Sequence, residues 1–258
     1  MIGVPPLAGG DDSLNQFKRL VAGDLRILAL VQDKELDATL LSELRSAGCD
    51  ELLGLRLTGQ PGRDALDLLR QGIDDIPEET DQSALDILAA EYADIYLTHG
   101  LSASPCESVW LDEDGLAMQE PMFQIRDWYA RRGLAVENWR LRTDDHLVIQ
   151  LQFIAHLLDQ AEALPADFAE PARFMDEHLL RWVGEFGKRV GARCRTRFYA
   201  GVATLTAAYL EELRDLLAEL IGEPRPSAQE IEERMKKPVA EVAVAPPAPH
   251  VPGQSPSW

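Results

Sequence analysis

Apolar residues recur along most of this chain at intervals of three and four, the spacing that puts them on one face of an α-helix. Leu14, Phe17, Leu20, Val21, Leu25 and Leu28 form the first such stripe, with Ser13 placed to cap it. A second helix is expected from about Leu36 to Gly48, a glycine where helices commonly end. Shorter helical pieces around Glu51–Leu57 and Arg63–Ile73 are set apart by Gly59, Pro61 and Gly62. Asp81–Leu97 reads as a longer helix with Leu85, Leu88, Ala89, Tyr92, Ile95 and Tyr96 on its inner side. After the loop-rich stretch from Thr98 to Leu116, the period returns at Met122, Ile125, Trp128 and Tyr129 and stops at Gly133. A strongly apolar helix then follows Asp144-Asp145-His146 and runs to about Ala163, with Pro165 as its stop. Phe168–Phe186 forms one more. Cys194–Ile221 carries Phe198, Val202, Leu205, Tyr209, Leu213, Leu216, Leu217 and Leu220 up to Gly222.

No stretch alternates apolar and polar residues for the length of a β-strand, so the expected class is all-α. The helices are too many for an up-down four-helix bundle and imply a single larger globular multi-helix domain. Residues 1–12, rich in Pro and Gly, read as a flexible arm, and 13–222 as the helical domain. Residues 223–258 divide into a short charged helix, opened by the capping box Ser227-Ala228-Gln229-Glu230, and a Pro/Ala-rich tail. That tail includes Pro246-Pro247-Ala248-Pro249, a polyproline-like run without a periodic apolar face, and is expected to be flexible.

Charge narrows the partners. With 258 residues, 46% of them hydrophobic, the chain can bury a substantial core, yet it carries a net charge of −19. Such an excess opposes nucleic acid and anionic lipid surfaces and favours cationic partners. Cys49, Cys106 and Cys194 are odd in number and far apart, with neither zinc-ligand spacing nor a disulfide framework. The N-terminus lacks the basic and apolar regions of a signal peptide, and nowhere do about 18 apolar residues run together. A cytoplasmic protein without stable membrane association, monomeric or homodimeric, is the expectation.

Chemistry is concentrated at Asp144-Asp145-His146. Asp144 or Asp145 suits a helix N-cap, because a short carboxylate accepts from the free amides of the first turn. His146 suits a hydrogen bond at the same helix start. His146 and His156 are too far apart in sequence to share a helical metal site, which needs ligands three or four residues apart. No P-loop, dinucleotide-binding glycine motif, nucleophile elbow or metal cluster is present, so no enzyme is expected. Two alternatives stay open: a non-catalytic structural or assembly subunit, and a helical metal-dependent hydrolase using Asp144, Asp145 and His146.

Three ordered patterns add to this reading. Glu91-Tyr92-Ala93-Asp94-Ile95-Tyr96-Leu97 is followed by Ser104-Pro105-Cys106-Glu107-Ser108-Val109-Trp110; the Asp-Asp-His helix comes second; His178-Leu179-Leu180-Arg181-Trp182 with Phe198-Tyr199-Ala200-Gly201 comes third. In this order they resemble the TorD/DmsD/NarJ family of molybdoenzyme maturation chaperones, from about Leu14 to Gly222. Gln150, Cys106 and Arg181 stand where that family often has Glu, an aromatic residue and Pro. The resemblance implies a TorD/DmsD-like helical fold and a role as client-specific chaperone. Its partners would be the catalytic subunit of a molybdenum-dependent oxidoreductase and its twin-arginine signal peptide, held until cofactor insertion is complete. It also implies that Asp145 and His146 lie in the groove for that peptide, Asp145 pairing with an arginine and His146 bonding the peptide backbone. Trp110, Tyr92 and Tyr96, with Glu107 beside them, would offer a surface for its apolar and cationic halves. No bound cofactor is expected. Transient contact with molybdopterin guanine dinucleotide or GTP belongs to the same family picture, without a phosphate-cradling loop here to support it.

Overall fold

The computed structural model describes residues 10–78, 82–162 and 164–236. Within them the chain forms eleven α-helices and no β-strand, so the all-α class holds. The expected flexible arm and Pro/Ala-rich tail lie largely outside the described residues.

Helix α1 (Gly10–Asp33) starts before Ser13, so that serine is not its cap. Leu20, expected in its apolar stripe, is exposed, while Val21, Leu25 and Leu28 are buried. Helix α2 (Ala38–Ala47) has Asp37 as its N-cap, accepting from the Leu40 amide at 2.8 Å, and ends at Gly48 with φ +72°. A 3-10 turn at Cys49–Glu51 leads to α3 (Gln60–Asp74). Here Pro61 sits in the first turn of the helix rather than breaking it, because an N-terminal proline gives up an amide that had no partner anyway. Helix α4 (Gln82–Tyr92) continues into a π-helical turn, Ala93–Leu97, closed by the Thr98 amide on the Ala93 carbonyl at 2.8 Å.

A short α5 (Ser108–Leu111) and then α6 (Glu120–Arg131) precede α7 (Leu147–Gln160). The single helix expected over 168–186 is instead a 3-10 turn Pro165–Phe168, α8 (Ala169–Glu177), a second 3-10 turn Leu179–Arg181, and α9 (Val183–Arg193). The break falls at His178, whose backbone leaves the helical region (φ −126°, ψ −88°). Helix α10 (Arg197–Ile221) ends on Gly222 in the left-handed conformation, and α11 (Ala228–Met235) opens with the Ser227/Glu230 capping box.

The core is organised around α10, which packs against α3 on one side and α9 on the other, while α7 packs along α1. Two glycines permit the α3–α10 crossing. A Cβ on Gly201 would lie 2.6 Å from the Leu69 backbone, and one on Gly72 would lie 2.6 Å from the Phe198 Cα. Trp182, Tyr199, Tyr209, Phe168, Phe174, Phe186 and Phe198 are fully buried in this core. The buried Asp176 receives a bidentate fork from Arg214 at 2.9 and 2.8 Å. Helix α11 belongs to the packed body, burying Ile231 as it lies on α8.

Candidate functional site

The loop before α5 and the loop before α7 are joined side by side. Leu147 donates its amide to the Pro105 carbonyl at 2.7 Å, and Glu107 donates to the Asp145 carbonyl at 3.1 Å. Cys106 and His146 thereby form an isolated antiparallel bridge, the one piece of β-type pairing among the described residues. The Asp145 carboxylate reinforces it by accepting from the Ser108 amide at 2.8 Å. Inside the junction Thr143 donates its hydroxyl to the Cys106 sulfur at 3.4 Å. Burial pushes the Cys106 thiol up to about 11, and the Asp145 carboxylate adds to the effect.

The N-cap of α7 is His146, not either aspartate. Its Nδ1 accepts from the Val148 amide at 3.2 Å, which fixes the proton on the other ring nitrogen when the ring is neutral. Burial, followed by the positive charge of Arg142 and by His99, lowers its pKa to about 3. His146 is thus a neutral imidazole in ordinary conditions.

Beneath the two loops lies a buried polar cluster. The Glu107 carboxylate meets His178 Nδ1 at 2.9 Å and accepts from Gln150 Nε2 at 3.1 Å. Gln150 shares that amide with the Asp145 carbonyl at 2.9 Å. Asp145 Oδ1, Gln150 Oε1, His178 Nε2 and Trp182 Nε1 are buried without a hydrogen-bond partner from the protein. So many unmatched polar atoms in one region are unusual in a folded interior.

At the outer edge, Asp144 is paired with Arg126 of α6 at 2.7 Å, and Tyr129 donates to the Asp144 carbonyl at 2.9 Å. The Arg126 guanidinium also lies over two aromatic rings, 5.4 Å from the Phe123 centroid and 4.7 Å from that of Trp139. Trp110 is half-buried: it stacks on Trp182 with centroids 6.2 Å apart, donates to the Ser104 carbonyl at 2.8 Å, and lies under the Arg189 guanidinium at 4.2 Å.

The structure therefore brings Asp145, His146, Glu107 and Trp110 into one junction, and it corrects the expected surface of aromatic and acidic side chains. Glu107 and Asp145 are fully buried. Tyr92 and Tyr96 are core residues, their rings 4.9 Å apart, with hydroxyls donated to the Asp33 carbonyl (2.7 Å) and to Gln32 (3.0 Å). The reason is the helix they share: spaced by four, both point inward from α4 and its π-helical turn. Asp144, Asp145 and His146 each serve a separate partner. Among the described residues no three His, Cys, Asp or Glu side chains could hold a metal ion together. Arg126 and Trp139 were not singled out from sequence. Phe123 at i and Arg126 at i+3 were a readable helical pair, but nothing local marks Trp139.

Comparison with known proteins gives these features a family. Residues 59–188 match the model of the nitrate reductase delta subunit family. A chaperone protein TorD of Vibrio cholerae serotype O1 is 32% identical over 143 residues, covering 53% of this chain and 64% of its own length. A chaperone protein TorD of Shewanella loihica is 29% identical over 191 residues, covering 72% of this chain and 87% of its own. The chain belongs to this family, the TorD/DmsD/NarJ group of molybdoenzyme maturation chaperones. It spans 64% of the length of the first of these relatives. Among the described residues no helix is long and apolar enough to cross a membrane.

Proposed function

We propose that this protein is a cytoplasmic, client-dedicated chaperone. It binds the twin-arginine signal peptide and the apoprotein of a molybdenum-dependent oxidoreductase and releases them after cofactor insertion. Family membership, carried by the match over residues 59–188, is the observation that supports this reading most strongly. Its chemistry is recognition rather than turnover.

The junction suits that task in a divided way. Glu107, Asp145 and His178, buried, set the two loops; Trp110 and the Arg126–Trp139 edge are the parts a peptide reaches. Arg126 itself displays how an arginine is held there, stacked on aromatic rings and paired with the Asp144 carboxylate. A client arginine takes the same place by exchange with Arg126. The net charge of −19 attracts such a cationic segment from a distance.

Isothermal titration with a synthetic twin-arginine signal peptide tests the reading. Replacing both peptide arginines by glutamines should weaken binding by about 1.5–3 kcal/mol, the range for hydrogen bonds to charged groups. The loss should shrink as salt rises. Equal binding of the two peptides, or none of either at millimolar concentration, would overturn it.

A further inference from the structure

We propose that Arg126 is an internal competitor of the client's arginine: it fills a guanidinium slot made by Asp144, Phe123 and Trp139, and its occupancy sets the affinity of that slot. The role assigned to Arg126 rests on the signal-peptide function proposed above. Helix α6 contributes the Phe123 ring, and the segment between α6 and α7 contributes both the Trp139 ring and the Asp144 carboxylate. A carboxylate beside aromatic faces is the combination that suits a planar cation. Arg126 meets all three groups. Its Nη2 and Nε lie 2.7 and 3.3 Å from Asp144 Oδ2, and its guanidinium lies 4.7 Å from the Trp139 centroid and 5.4 Å from that of Phe123.

Two arginine–aspartate pairs in this chain separate a fixed contact from an exchangeable one. Arg214 is buried, its side chain 5% exposed, and its two nitrogens take separate oxygens of Asp176. Arg126 is 36% exposed, and both of its nitrogens converge on the same oxygen of Asp144. A fork that grips both oxygens is the stronger arrangement. A partly exposed pair on one oxygen contributes little and is readily replaced.

The two partners also differ in freedom. Arg126 stands on the surface of α6, so its side chain can swing into water by bond rotation without moving the backbone. Asp144 stays where it is, its side chain 3% exposed and its carbonyl held by the Tyr129 hydroxyl. A buried carboxylate left without a cation is costly, so Asp144 takes up another guanidinium when Arg126 leaves. The exchange replaces one arginine by another of the same chemistry. The apparent dissociation constant is then the intrinsic one divided by the fraction of molecules whose slot is open.

Isothermal titration of the full-length chain with a synthetic twin-arginine signal peptide tests this role. Arg126→Gln should bind about three- to tenfold more tightly than the parent, the shift expected when a partly exposed pair with ring contacts no longer competes. Arg131→Gln removes the same charge from the same helix, where the guanidinium lies over Trp128, and should show no such gain. Adding Asp144→Asn to Arg126→Gln should abolish the gain, because the slot loses its charge. Arg126→Lys keeps a cation for the buried carboxylate but not the planar fork; it should gain less, and it decides the matter if the glutamine variant unfolds. A folded Arg126→Gln protein, or Arg126→Lys in its place, that binds no better than the parent would make Arg126 a structural contact. That result overturns the role assigned here and leaves the signal-peptide function intact. An equal gain in Arg131→Gln would also overturn it, since net charge alone would account for the effect. No binding by any of these proteins would overturn both.

Discussion

Glu107 and His178, separated by 71 residues and both fully buried, meet with a carboxylate oxygen 2.9 Å from Nδ1. The contact ties the loop before α5 to the break between α8 and α9. It gives a reason for that break: a histidine in continuous helix would follow the helix surface, whereas here the backbone turns out and the ring meets the carboxylate. Removing one partner leaves a buried polar or charged group unmatched. We expect Glu107→Ala and His178→Ala each to cost about 3–5 kcal/mol, the usual range for breaking a buried pair. The double variant should cost clearly less than the sum. Urea unfolding of the four proteins measures this coupling, and strict additivity would show that the two residues do not act together.

Asp145→Ala removes the acceptor of the Ser108 amide inside the loop junction. A buried amide left unsatisfied costs about 1–3 kcal/mol. Chemical denaturation should show that loss. A stability equal to the parent would mean that the junction relaxes to let water in.

His146 gives a pH signature. Its pKa lies at about 3 in the folded chain against an ordinary value of 6.5, mainly through burial. The unfolded chain therefore binds the extra proton between these values. The stability linked to this residue is complete above about pH 6.5 and is lost as pH falls toward about 3. His146→Asn keeps an N-cap acceptor but does not titrate. Its unfolding free energy should vary less steeply between pH 4 and 6, by about one proton per molecule. Parallel curves for the two proteins would contradict the assignment.

Gly201→Ala should be among the most damaging single-methyl changes in the chain. The added Cβ falls 2.6 Å from backbone atoms of Leu69, which cannot move without shifting α3. We expect a loss of about 1–3 kcal/mol, the usual cost of overpacking, read by thermal melting. Gly184→Ala is the control: a Cβ there meets nothing within 4 Å, and a helical alanine should be neutral or slightly stabilising.

Local sequence determined where most of the helices lie and how several of them end, although the piece expected at Glu51–Leu57 is a 3-10 turn followed by irregular chain and α5 falls in the stretch read as loop. The apolar periods of α1, α3, α6, α7 and α10 are contacts repeated every turn, so they are written in neighbouring residues. Gly48, Gly222 and the Ser227/Glu230 box act within a few residues of themselves, and each is found at its helix end. The family was legible too, from the order of its motifs. Only the tertiary structure decided which polar groups are buried and what they face. Asp144 and Asp145 looked like caps from their neighbours, yet one is held by Arg126 across the fold and the other by the Ser108 amide, which leaves His146 to cap α7. Tyr92 and Tyr96 looked available and are core, because Gln32 and the Asp33 carbonyl receive their hydroxyls. At the His178 break, the side chain's partner is Glu107, 71 residues away. A polar side chain's role follows from the partner that satisfies it, and here those partners come from distant segments that no periodicity records.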